Sequence, residues 1–574
     1  MNRAEFERWC RARRGAESEW LLASAAARWL LAETGDVALA LAGFALARAE
    51  LGGDSRIDLQ RLAATPVLGG DDPAVYPALP DWLSALAASG LTAPAGVLVL
   101  VEQRWLYWRR LYAHEQAIQR ELQRRIDIAP KPAALADIDA LIAKVFGPPG
   151  DTREHSQRAA VTAALGRSLF VLTGGPGTGK THTIARLIAA WRQRAGAGLR
   201  IALAAPTGKA ARRMSEALSS NAQALGGAVP DSHTLHRLLG WQPGRQMFRH
   251  HADNPLALDL LIVDESSMID LGLMRRLLDA LSPRTALVLV GDAEQLAPVE
   301  VGSVFADIDR ALAARSDAAR LRLTHNFRAD QALAEAAEAV QSGEVEGFFA
   351  VLARHPERLR WLQAESANDA IRQWQAVIDQ AAELPFDRWC LGTDAEATAA
   401  AFAAFAGARI LAAPRQGPGG VVALNQRFER HLIDRARRNA WPRPRLPIMV
   451  TENLPALGLA NGDIGITQSA EPGAALLFPE AGGGYRSLPR AALGRLESGS
   501  VLTVHKAQGS EFDQVWLLLP AADSPLLTRQ WLYTALTRAR QHISLFATRA
   551  ALVQAITTPT QRESGLADWA WDRG

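Results

Sequence analysis

The chain has 574 residues, of which 48% are hydrophobic and 21% charged, and its formal net charge is +3. This length predicts about three or four domains, and the composition is that of a globular protein with large cores rather than a disordered chain. The small net charge excludes a polybasic tail, so a nucleic-acid partner would require positive charge gathered on one surface. The two cysteines, Cys10 and Cys390, belong to no metal-binding pattern, and so few cysteines are typical of a reducing compartment.

Residues 1–148 are predicted to form a helical N-terminal domain. Apolar residues recur at three- and four-residue spacing over 19–35 and 105–126, which predicts amphipathic helices. The apolar run 37–47 is too short to span a bilayer and suits a buried helix, and the charged N-terminus does not resemble a signal peptide. We therefore expect a cytoplasmic protein with no membrane partner. The stretch GPPGD at 147–151 marks the end of this domain.

The pattern changes over residues 149–325, where short apolar runs alternate with helical stretches. The runs are SLFVLTG, RIALAAPT, LDLLIVDE and TALVLVGD, and each ends in small or acidic residues. Continuous apolar strands separated by helices predict an α/β domain with a parallel sheet covered on both faces. Ligands of such sheets bind at the carboxyl ends of the strands, where these polar residues lie.

A glycine-rich turn, GGPGTGKT at 174–181, separates the first of these strands from a predicted helix and fits the pattern G-x-x-x-x-G-K-[ST]. Backbone N–H groups of such a loop surround phosphate oxygens, Lys180 would neutralise the β- and γ-phosphates, and Thr181 would ligate Mg²⁺. The expected cofactors are therefore ATP and Mg²⁺. The expected nucleotide-binding residues of the loop are Gly174, Gly175, Pro176, Gly177, Thr178, Gly179, Lys180 and Thr181.

The ends of two later strands supply candidate catalytic groups. Asp264 and Glu265 follow the run LDLLIV, so that Asp264 could hold the hydrated Mg²⁺ while Glu265 orients and deprotonates the attacking water. Gln295 follows the next strand and could sense the γ-phosphate. An acidic pair or a glutamine alone is as often ordinary surface, and kinases, transporters and motors share a phosphate loop with an acidic partner.

Residues 326–574 are predicted to form a second α/β unit with a β-rich insertion at about 412–498. The segment before the insertion reads as helical and Ala-rich, with one strand at 388–394. The stretch LTHNFRAD presents Arg328 after a short strand, and YTALTRAR presents Arg538 on a helix. Each arginine alone would more often be solvated, but arginines that reach across a cleft stabilise charge on a transferring phosphoryl group.

The order of these elements resembles that of superfamily 1 helicases. The segments GGPGTGKT, LAAPTGKAA, VDES, GDAEQLAPV, VLTVHKAQGSEFD and YTALTRAR occur in the order of the family's motifs. The resemblance implies two RecA-like domains that clasp ATP, with Gln157 reading the adenine and Gly509 and Glu511 near the nucleotide. The catalytic set that it implies comprises Lys180, Glu265, Gln295, Arg328 and Arg538, with Thr181 and Asp264 on the metal. Single-stranded DNA would contact Thr207, Lys209, His233, Thr234, Thr503 and His505.

Within the superfamily, the chain resembles the RecD family, the alpha subunit of exodeoxyribonuclease V. The resemblance rests on the HKAQGSEFD form of the fifth motif, the β-rich insertion before it, and the segments ALNQRFER and LGLANGDIGIT. It implies an ATP-dependent 5′→3′ DNA helicase that acts on DNA ends in a heterotrimer with RecB-like and RecC-like subunits. The expected roles are recombinational repair and degradation of linear DNA. No nuclease-type acidic cluster stands out, so the nuclease site is expected on a partner.

The N-terminal domain bears on which kind of RecD-like protein this is. A stand-alone type carries a longer N-terminal part with helix-hairpin-helix elements, whereas a shorter type docks on partner subunits. The near-neutral, Trp-rich residues 1–148 favour docking, although most of these tryptophans would fill the domain's own core. A stand-alone 5′→3′ repair helicase and a regulatory subunit with weak ATPase remain as alternatives. The strand-separating pin is expected within 220–255 or 410–500.

Overall fold

A computed structural model describes residues 1–12, 18–70, 72–128, 138–147, 154–196, 198–225, 227–315, 319–327, 330–380, 395–438, 440, 444–468, 473–480 and 483–568. Three regions follow one another along the chain, each built on its own sheet. Among the described residues, no helix is both long enough and apolar enough to cross a bilayer.

The N-terminal region combines helices with a small antiparallel sheet. The helices are α1 (Arg3–Ala12), α2 (Ser18–Thr34), α3 (Val37–Leu51), α4 (Leu59–Leu62), α5 (Leu79–Ala88), α6 (Arg109–Asp127) and α7 (Ile138–Phe146). The strands β1 (Arg56–Asp58), β2 (Leu98–Val101) and β3 (Trp105–Trp108) pair in the order β1-β3-β2. The helix predicted over 105–126 therefore begins only at Arg109, because the aromatic residues before it favour a strand.

Two helices before the expected boundary near residue 148 contribute to the cores of the first α/β domain. In the N-terminal region, α3 is buried from Leu39 to Leu46. Helix α6, however, contributes Ile118 and Leu122 to the core beneath the following sheet, and α7 packs Ile142 into that sheet's other face. The packing of α6 and α7 thus extends beyond the expected boundary near residue 148 into the first α/β domain.

The first α/β domain, expected over 149–325, is built on a six-stranded parallel sheet in the order β11-β4-β10-β9-β5-β6. Its strands are β4 (Leu169–Gly174), β5 (Ile201–Ala205), β6 (Ser232–Thr234), β9 (Leu260–Val263), β10 (Ala286–Gly291) and β11 (Arg320–Leu323), with the hairpin β7 (Trp241–Gln242) and β8 (Met247–Phe248). Its helices are α8 (His155–Ala164), α9 (Lys180–Ala195), α10 (Gly208–Ser219), α11 (Leu235–Leu238), α12 (Leu271–Asp279) and α13 (Val304–Ala313). Strands β4, β9 and β10 are buried along their whole length, which explains their continuous apolar runs.

The second α/β domain, expected over 326–574, has a five-stranded parallel sheet in the order β12-β21-β20-β13-β19. Its strands are β12 (Leu359–Gln363), β13 (Ala408–Ala412), β19 (Val501–Thr503), β20 (Phe512–Leu518) and β21 (Ala539–Ala547). Its helices are α14 (Gln331–Ser342), α15 (Val345–Arg354), α16 (Ala367–Gln380), α17 (Ala395–Gly407), α18 (Val421–Arg438), α19 (Arg529–Leu536) and α20 (Arg549–Thr557).

An antiparallel sheet of five strands, in the order β17-β16-β15-β14-β18, interrupts the second α/β domain. We call it the insertion sheet. Its strands are β14 (Pro447–Val450), β15 (Ile464–Thr467), β16 (Leu476–Pro479), β17 (Tyr485–Leu488) and β18 (Leu496–Ser498). The β-rich part is therefore narrower than 412–498, since the 18-residue helix α18 comes first. The strand predicted at 388–394 lies outside the described residues.

Candidate active site

The phosphate loop lies between the end of β4 at Gly174 and the start of α9 at Lys180. Gly177 and Gly179 adopt left-handed backbone angles, with φ of +79° and +85°. A Cβ atom on Gly179 would also lie 2.3 Å from Nε2 of the buried Gln157, so a side chain is excluded there by contact as well as by conformation. Lys180 Nζ donates to the carbonyl oxygens of Gly174 at 2.7 Å and Gly175 at 3.0 Å, which places its ammonium inside the loop.

The remaining residues of the loop support its shape. Thr178 donates from Oγ1 to the carbonyl oxygen of Gly175 at 2.8 Å. Tyr533 of the second α/β domain lies close to Gly175, since a Cβ atom on that glycine would lie 2.9 Å from the Tyr533 hydroxyl. The amino end of α9 points its N–H groups toward the loop, an arrangement that favours anions. The backbone of this turn is therefore shaped to receive an anion.

Asp264 and Glu265 follow β9 at the carboxyl edge of the same sheet. The Asp264 N–H donates to the carbonyl oxygen of Ala204 at 2.9 Å, and its Oδ1 accepts from the Glu265 N–H at 2.9 Å. Burial and the neighbouring Glu265 carboxylate raise the pKa of Asp264 above its ordinary value, while Lys180 opposes that rise. The partly buried Asp264 carboxylate and the Thr181 hydroxyl line the same cavity and form a hard-oxygen donor set that fits Mg²⁺.

Gln295 lies after β10 in a buried network that reaches the second α/β domain. Its Nε2 donates to Oδ2 of Asp292 at 3.0 Å, and the Tyr533 hydroxyl donates to the same oxygen at 3.1 Å. Among the described residues, the buried Oε1 atom of Gln295 has no hydrogen-bond partner. An acceptor held in place but unsatisfied would be completed by a water or a ligand.

Arg538 is the cross-domain arginine that the structure describes, whereas Arg328 lies outside the described residues. Arg538 does not lie on a helix as expected, because α19 ends at Leu536. Its guanidinium is buried and donates to the carbonyl oxygens of Thr534 and Ser510, each at 3.0 Å. Burial lowers the pKa of Arg538, and the carboxylates of Glu265 and Glu511 oppose that shift.

These groups meet at one cavity of about 500 Å³ between the two α/β domains. The first domain contributes lining residues from the loop and the strand ends, and the second contributes residues from 509 to 538. The predicted residues in the lining are Gln157, Pro176, Gly177, Gly179, Lys180, Thr181, Asp264, Glu265, Gln295, Gly509, Glu511 and Arg538. The lining leaves out Gly174, Gly175 and Thr178, which shape the loop from behind.

Sequence reasoning missed nine of the lining residues, of which Arg213 and Phe327 make contacts that shape the cavity. Arg213 on α10 donates to the Gly509 carbonyl oxygen and lies 3.5 Å from Glu511, so it bridges the domains at the cavity mouth. Phe327 is 44% exposed, donates from its N–H to the Gly177 carbonyl oxygen at 2.9 Å and presents an aromatic face to the cavity. The only local signal for Phe327 was an aromatic residue beside Arg328, and Arg213 gave none beyond a pair of arginines on a predicted helix.

The residues expected to contact DNA lie away from this cavity, at strand ends of both domains. Thr207 follows β5 and Thr234 ends β6, and each accepts a hydrogen bond from a backbone N–H as the N-cap of the next helix. Thr503 ends β19 and accepts from the Lys506 N–H at 3.2 Å. These hydroxyls have local structural roles and keep a hydroxyl proton available for a phosphate.

The three basic side chains of the set are partly buried. The Nδ1 atom of His233 is buried and has no hydrogen-bond partner in the part of the chain that the structure describes. Burial lowers the pKa of His505. Burial, helped by the positive charge of Arg409, lowers the pKa of Lys209 to about 8. Each of these side chains would be stabilised by an acceptor oxygen, such as that of a phosphate, within hydrogen-bond distance.

Comparison with known proteins assigns the chain to a family. Residues 157–301 match the AAA domain family and residues 498–546 match the UvrD-like helicase C-terminal domain. The RecBCD enzyme subunit RecD of Mycobacterium tuberculosis (strain ATCC 25618 / H37Rv) is 36% identical over 550 residues, which cover 93% of this chain and 92% of that protein. The chain belongs to the RecD family. It is thus a superfamily 1 helicase of the RecBCD-subunit type, with two RecA-like α/β domains and the ATP-dependent activity of that class.

Two further relatives bear on the type of RecD protein. The RecBCD enzyme subunit RecD of Mycolicibacterium smegmatis is 37% identical over 553 residues, covering 94% of each chain. The ATP-dependent RecD2 DNA helicase of Deinococcus radiodurans is 33% identical over 418 residues, covering 71% of this chain but 51% of that protein. The two mycobacterial RecD subunits therefore match this chain over nearly its whole length, whereas the match to the RecD2 helicase covers about half of that protein.

Proposed function

We propose that this chain is an ATP-driven 5′→3′ DNA translocase that works on DNA ends in a heterotrimer with RecB-like and RecC-like subunits. The observation that carries the motor role is the cavity at the phosphate loop, to which both α/β domains contribute charged groups. Polarity, partners and the roles in recombinational repair and degradation of linear DNA are taken from the family. The intact set of ionisable groups at the cavity favours a working motor over a regulatory subunit with weak ATPase.

The hydrolytic roles follow from the positions of the side chains. The loop N–H groups and Lys180 would bind the β- and γ-phosphates. Thr181 and Asp264 would hold Mg²⁺, which supplies positive charge to the phosphate oxygens when it is bound. Glu265 would orient and deprotonate the attacking water, while Gln295 and Arg538 stabilise the charge that develops on the γ-phosphate. Arg328 completes this proposed set.

Hydrolysis would become motion through the contacts that join the loop after β10 to the second α/β domain. The Leu296 N–H donates to Thr534 Oγ1 at 2.9 Å, and Gln508 Nε2 donates to the Leu296 carbonyl oxygen at 3.0 Å. Loss of the γ-phosphate would remove a partner of Gln295, one residue away, and so change how tightly the domains close. If closed and open states grip DNA differently, this difference in affinity drives directional stepping.

DNA recognition by the proposed residues would not depend on sequence. Hydroxyl, imidazole and ammonium groups at strand ends suit phosphate oxygens, and contacts to phosphates carry no direct sequence information. The proposed contacts are Thr207, Lys209, His233, Thr234, Thr503 and His505. A translocase that must pass along any DNA requires contacts of this kind.

An exposed apolar strip on α2 supports docking of the N-terminal region on a partner subunit. Leu21, Leu22 and Trp29 are 55%, 58% and 44% exposed. Their spacing places them on one side of the helix. Clustered large apolar side chains on a surface mark interaction sites more often than single ones do.

The motor role is tested by Lys180→Gln, with Lys144→Gln as the control because Lys144 is exposed on α7. The chain, alone and with candidate partners, would be assayed for ATP hydrolysis with single-stranded DNA and for unwinding of duplexes with a 5′ or a 3′ tail. We expect Lys180→Gln to abolish DNA-stimulated hydrolysis and unwinding of the 5′-tailed duplex. A complex that keeps full unwinding with Lys180→Gln would instead support the regulatory alternative, and robust unwinding by the isolated chain would support the stand-alone alternative.

Partner docking is tested separately by Leu22→Glu combined with Trp29→Ala. Leu526→Glu is a matched control, because Leu526 is 40% exposed on the second α/β domain. We expect the α2 variant to lose co-purification with RecB-like and RecC-like subunits while it keeps DNA-stimulated ATP hydrolysis. Unchanged co-purification would rule out this strip as the docking surface.

A further inference from the structure

After α20 the chain leaves the second α/β domain and crosses the surface of the first. Residues 558–568, which we call the C-terminal strap, follow α20. At its start the strap is tied to α19: the Arg529 N–H donates to the Thr558 carbonyl oxygen at 2.8 Å, and the Thr560 N–H donates to Gln530 Oε1 at 2.6 Å. The strap is thus an extension of the second α/β domain.

Arg562 of the strap reaches the loop that follows Gln295 in the first α/β domain. Its guanidinium donates to the carbonyl oxygens of Pro298 at 2.6 Å and of Glu300 and Gly302, each at 2.9 Å. We call residues 298–302 the exit loop. Three hydrogen bonds from one planar cation to backbone carbonyls fix the path of the exit loop itself rather than the position of one side chain.

The N-terminal region meets the exit loop at the same point. The Gly302 N–H donates to the Gly53 carbonyl oxygen at 2.9 Å. The Arg562 guanidinium covers Gly53 so closely that a Cβ there would lie 2.4 Å from its Cζ, and Gly53 has a φ of +91°. The exit loop, Arg562 and Gly53 therefore form a junction of all three regions of the chain.

Beyond Arg562 the strap is anchored in the N-terminal region. The Glu563 N–H donates to Asp54 Oδ1 at 2.8 Å, and its carbonyl oxygen accepts from the Ser55 N–H at 2.9 Å. The buried Glu115 carboxylate accepts from the Gly565 N–H at 3.1 Å and from Ser55 Oγ at 2.5 Å. The Glu115 carboxylate thus accepts hydrogen bonds from the strap, through Gly565, and from the N-terminal region, through Ser55. These bonds hold the strap firmly, because loss of either donor would leave a buried carboxylate with an unsatisfied oxygen.

The loop after β10 is consequently held by the second α/β domain at two places. Leu296 is bonded to Thr534 and Gln508 at one end, and the exit loop is bonded to Arg562 at the other. Gln295 lies immediately before this doubly held segment. Any change in separation of the two domains must alter one of these attachments, and the second attachment leads into the N-terminal region.

We propose that Arg562 is a positioning residue for ATP turnover. Through the exit loop it holds Gln295 in a fixed position relative to the second α/β domain. It also couples the binding and hydrolysis of ATP to the conformation of the N-terminal region. This inference rests on the proposed role of Gln295 at the γ-phosphate. Arg562 does not touch the nucleotide cavity, so it acts on closure and not on ATP binding.

The first test compares Arg562→Ala and Arg562→Lys with Arg549→Ala. Arg549 is a matched control because it is exposed and its ion pair with Glu346, at 3.0 Å, stays within the second α/β domain. We expect Arg562→Ala to lower the kcat of DNA-stimulated ATP hydrolysis about fivefold or more with an ATP KM within about twofold of wild type, as for a group acting on the closed state. Arg562→Lys, which retains the charge but not the planar fork, should recover part of the kcat.

The second test disturbs the junction from the N-terminal side. Gly53→Ala would push the Arg562 guanidinium away, whereas Gly35→Ala introduces a side chain at a similar φ, +71°, with no atom within 4 Å. Both variants incur the cost of a left-handed alanine, so any difference between them isolates contact with Arg562. We expect Gly53→Ala, and not Gly35→Ala, to reproduce the kcat loss of Arg562→Ala.

Amide hydrogen exchange of the full chain tests the transmission itself. In wild type, a non-hydrolysable ATP analogue should increase protection of the Gly302 and Ser55 amides, and in Arg562→Ala the response at Ser55 should be lost. Wild-type kcat in folded Arg562→Ala, or equal kcat in the two glycine variants, would overturn the proposal. If Arg562→Ala melts below the assay temperature, Arg562→Lys and Gly53→Ala decide. If Gln295→Ala leaves hydrolysis intact, the proposed role of Gln295 fails, and the exchange result still decides whether the strap couples the regions.

Discussion

Tyr533 of the second α/β domain donates a hydrogen bond from its buried hydroxyl to Asp292 of the first, across a distance of 3.1 Å. The same Asp292 oxygen accepts from Gln295. Burial and the Asp292 carboxylate raise the pKa of the Tyr533 hydroxyl, so it remains a donor at any physiological pH. Gln295, the proposed γ-phosphate residue, is therefore linked to the opposite domain through one shared carboxylate.

Removal of this hydroxyl should weaken domain closure. Tyr533→Phe leaves a buried carboxylate with one donor fewer, which should lower the free energy of unfolding by about 2 kcal/mol. It should also lower the kcat of DNA-stimulated ATP hydrolysis severalfold, because closure positions Arg538. Thermal melting and steady-state ATPase assays measure the two effects. Tyr485→Phe, in the insertion sheet, is the control, and a Tyr533→Phe variant that matches it in both assays would contradict this reading.

A buried asparagine fixes the strand that leads to the proposed DNA contacts in the second α/β domain. Asn425 of α18 donates from Nδ2 to the Val501 carbonyl oxygen at 3.0 Å and accepts at Oδ1 from the Val501 N–H at 2.8 Å. The strand β19 lies at the edge of its sheet, so this side chain takes the place of a neighbouring strand.

Asn425→Ala should therefore reduce both stability and DNA affinity. Two buried backbone groups of Val501 would lose their partner, at a cost of about 3 kcal/mol. Displacement of β19 would also move Thr503, so affinity for single-stranded DNA should fall, as measured by fluorescence anisotropy. Asn461→Ala, at an exposed turn, is the control. Lower stability with unchanged DNA affinity would show that β19 does not position the DNA contacts.

The sequence was sufficient to predict the core of the first α/β domain. Strands β4, β9 and β10 are buried on both faces and so appear as continuous apolar runs, and the phosphate loop is a local pattern between two of its elements. In the second domain, β12 has exposed and buried positions mixed together, and β13 follows the Ala-rich α17 without a break. Neither strand carries a periodic signal distinct from its surroundings.

The site features that sequence reasoning missed depend on contacts between distant parts of the chain. Arg213 bridges to Glu511, and the C-terminal strap meets Gly53 and Glu115. No residue spacing encodes such proximity, because it follows from how whole domains pack. The same holds for α6, whose amphipathic pattern predicted a helix but not that Ile118 would complete the core of the following domain.

The lowered pKa of Lys209 predicts a pH dependence of DNA binding. Lys209 is surrounded by Arg212, Arg213 and Arg409, with Asp463 as the opposing charge, and its pKa is lowered to about 8. Its ammonium is therefore mostly charged at pH 7 and mostly neutral above pH 8.5. Since only the charged form attracts a phosphate, affinity for single-stranded DNA should fall as pH rises through this range.

Lys209→Arg separates this effect from the general influence of pH. An arginine keeps its charge throughout the range, so the variant should bind DNA with nearly constant affinity between pH 7 and pH 8.5. Lys506→Arg, at an exposed ion pair with Glu497, should retain the wild-type pH dependence. Parallel curves for wild type and Lys209→Arg would mean that Lys209 does not contact the DNA.

We propose the hairpin β7–β8 as the strand-separating pin. It follows the segment of His233 and Thr234, and it lies within one of the two stretches expected to hold the pin. Trp241 is 38% exposed and its ring lies 4.8 Å from that of Phe248, which supports it from behind. A rigid aromatic side chain at the proposed DNA path can stack on a base at the fork and block re-annealing.

Trp241→Ala should therefore uncouple unwinding from hydrolysis. We expect the unwinding rate of a 5′-tailed duplex to fall about tenfold while ATP hydrolysis on single-stranded DNA stays within about twofold, because loss of a stacking contact of ~1–3 kcal/mol affects only the fork. Val422→Ala, at a 47% exposed apolar position on α18, should change neither rate. Parallel loss of both rates would indicate a defect in DNA binding. If neither rate falls, the hairpin β7–β8 is not the pin, and the insertion sheet becomes its expected location. The β16–β17 connection would then be the next position to substitute.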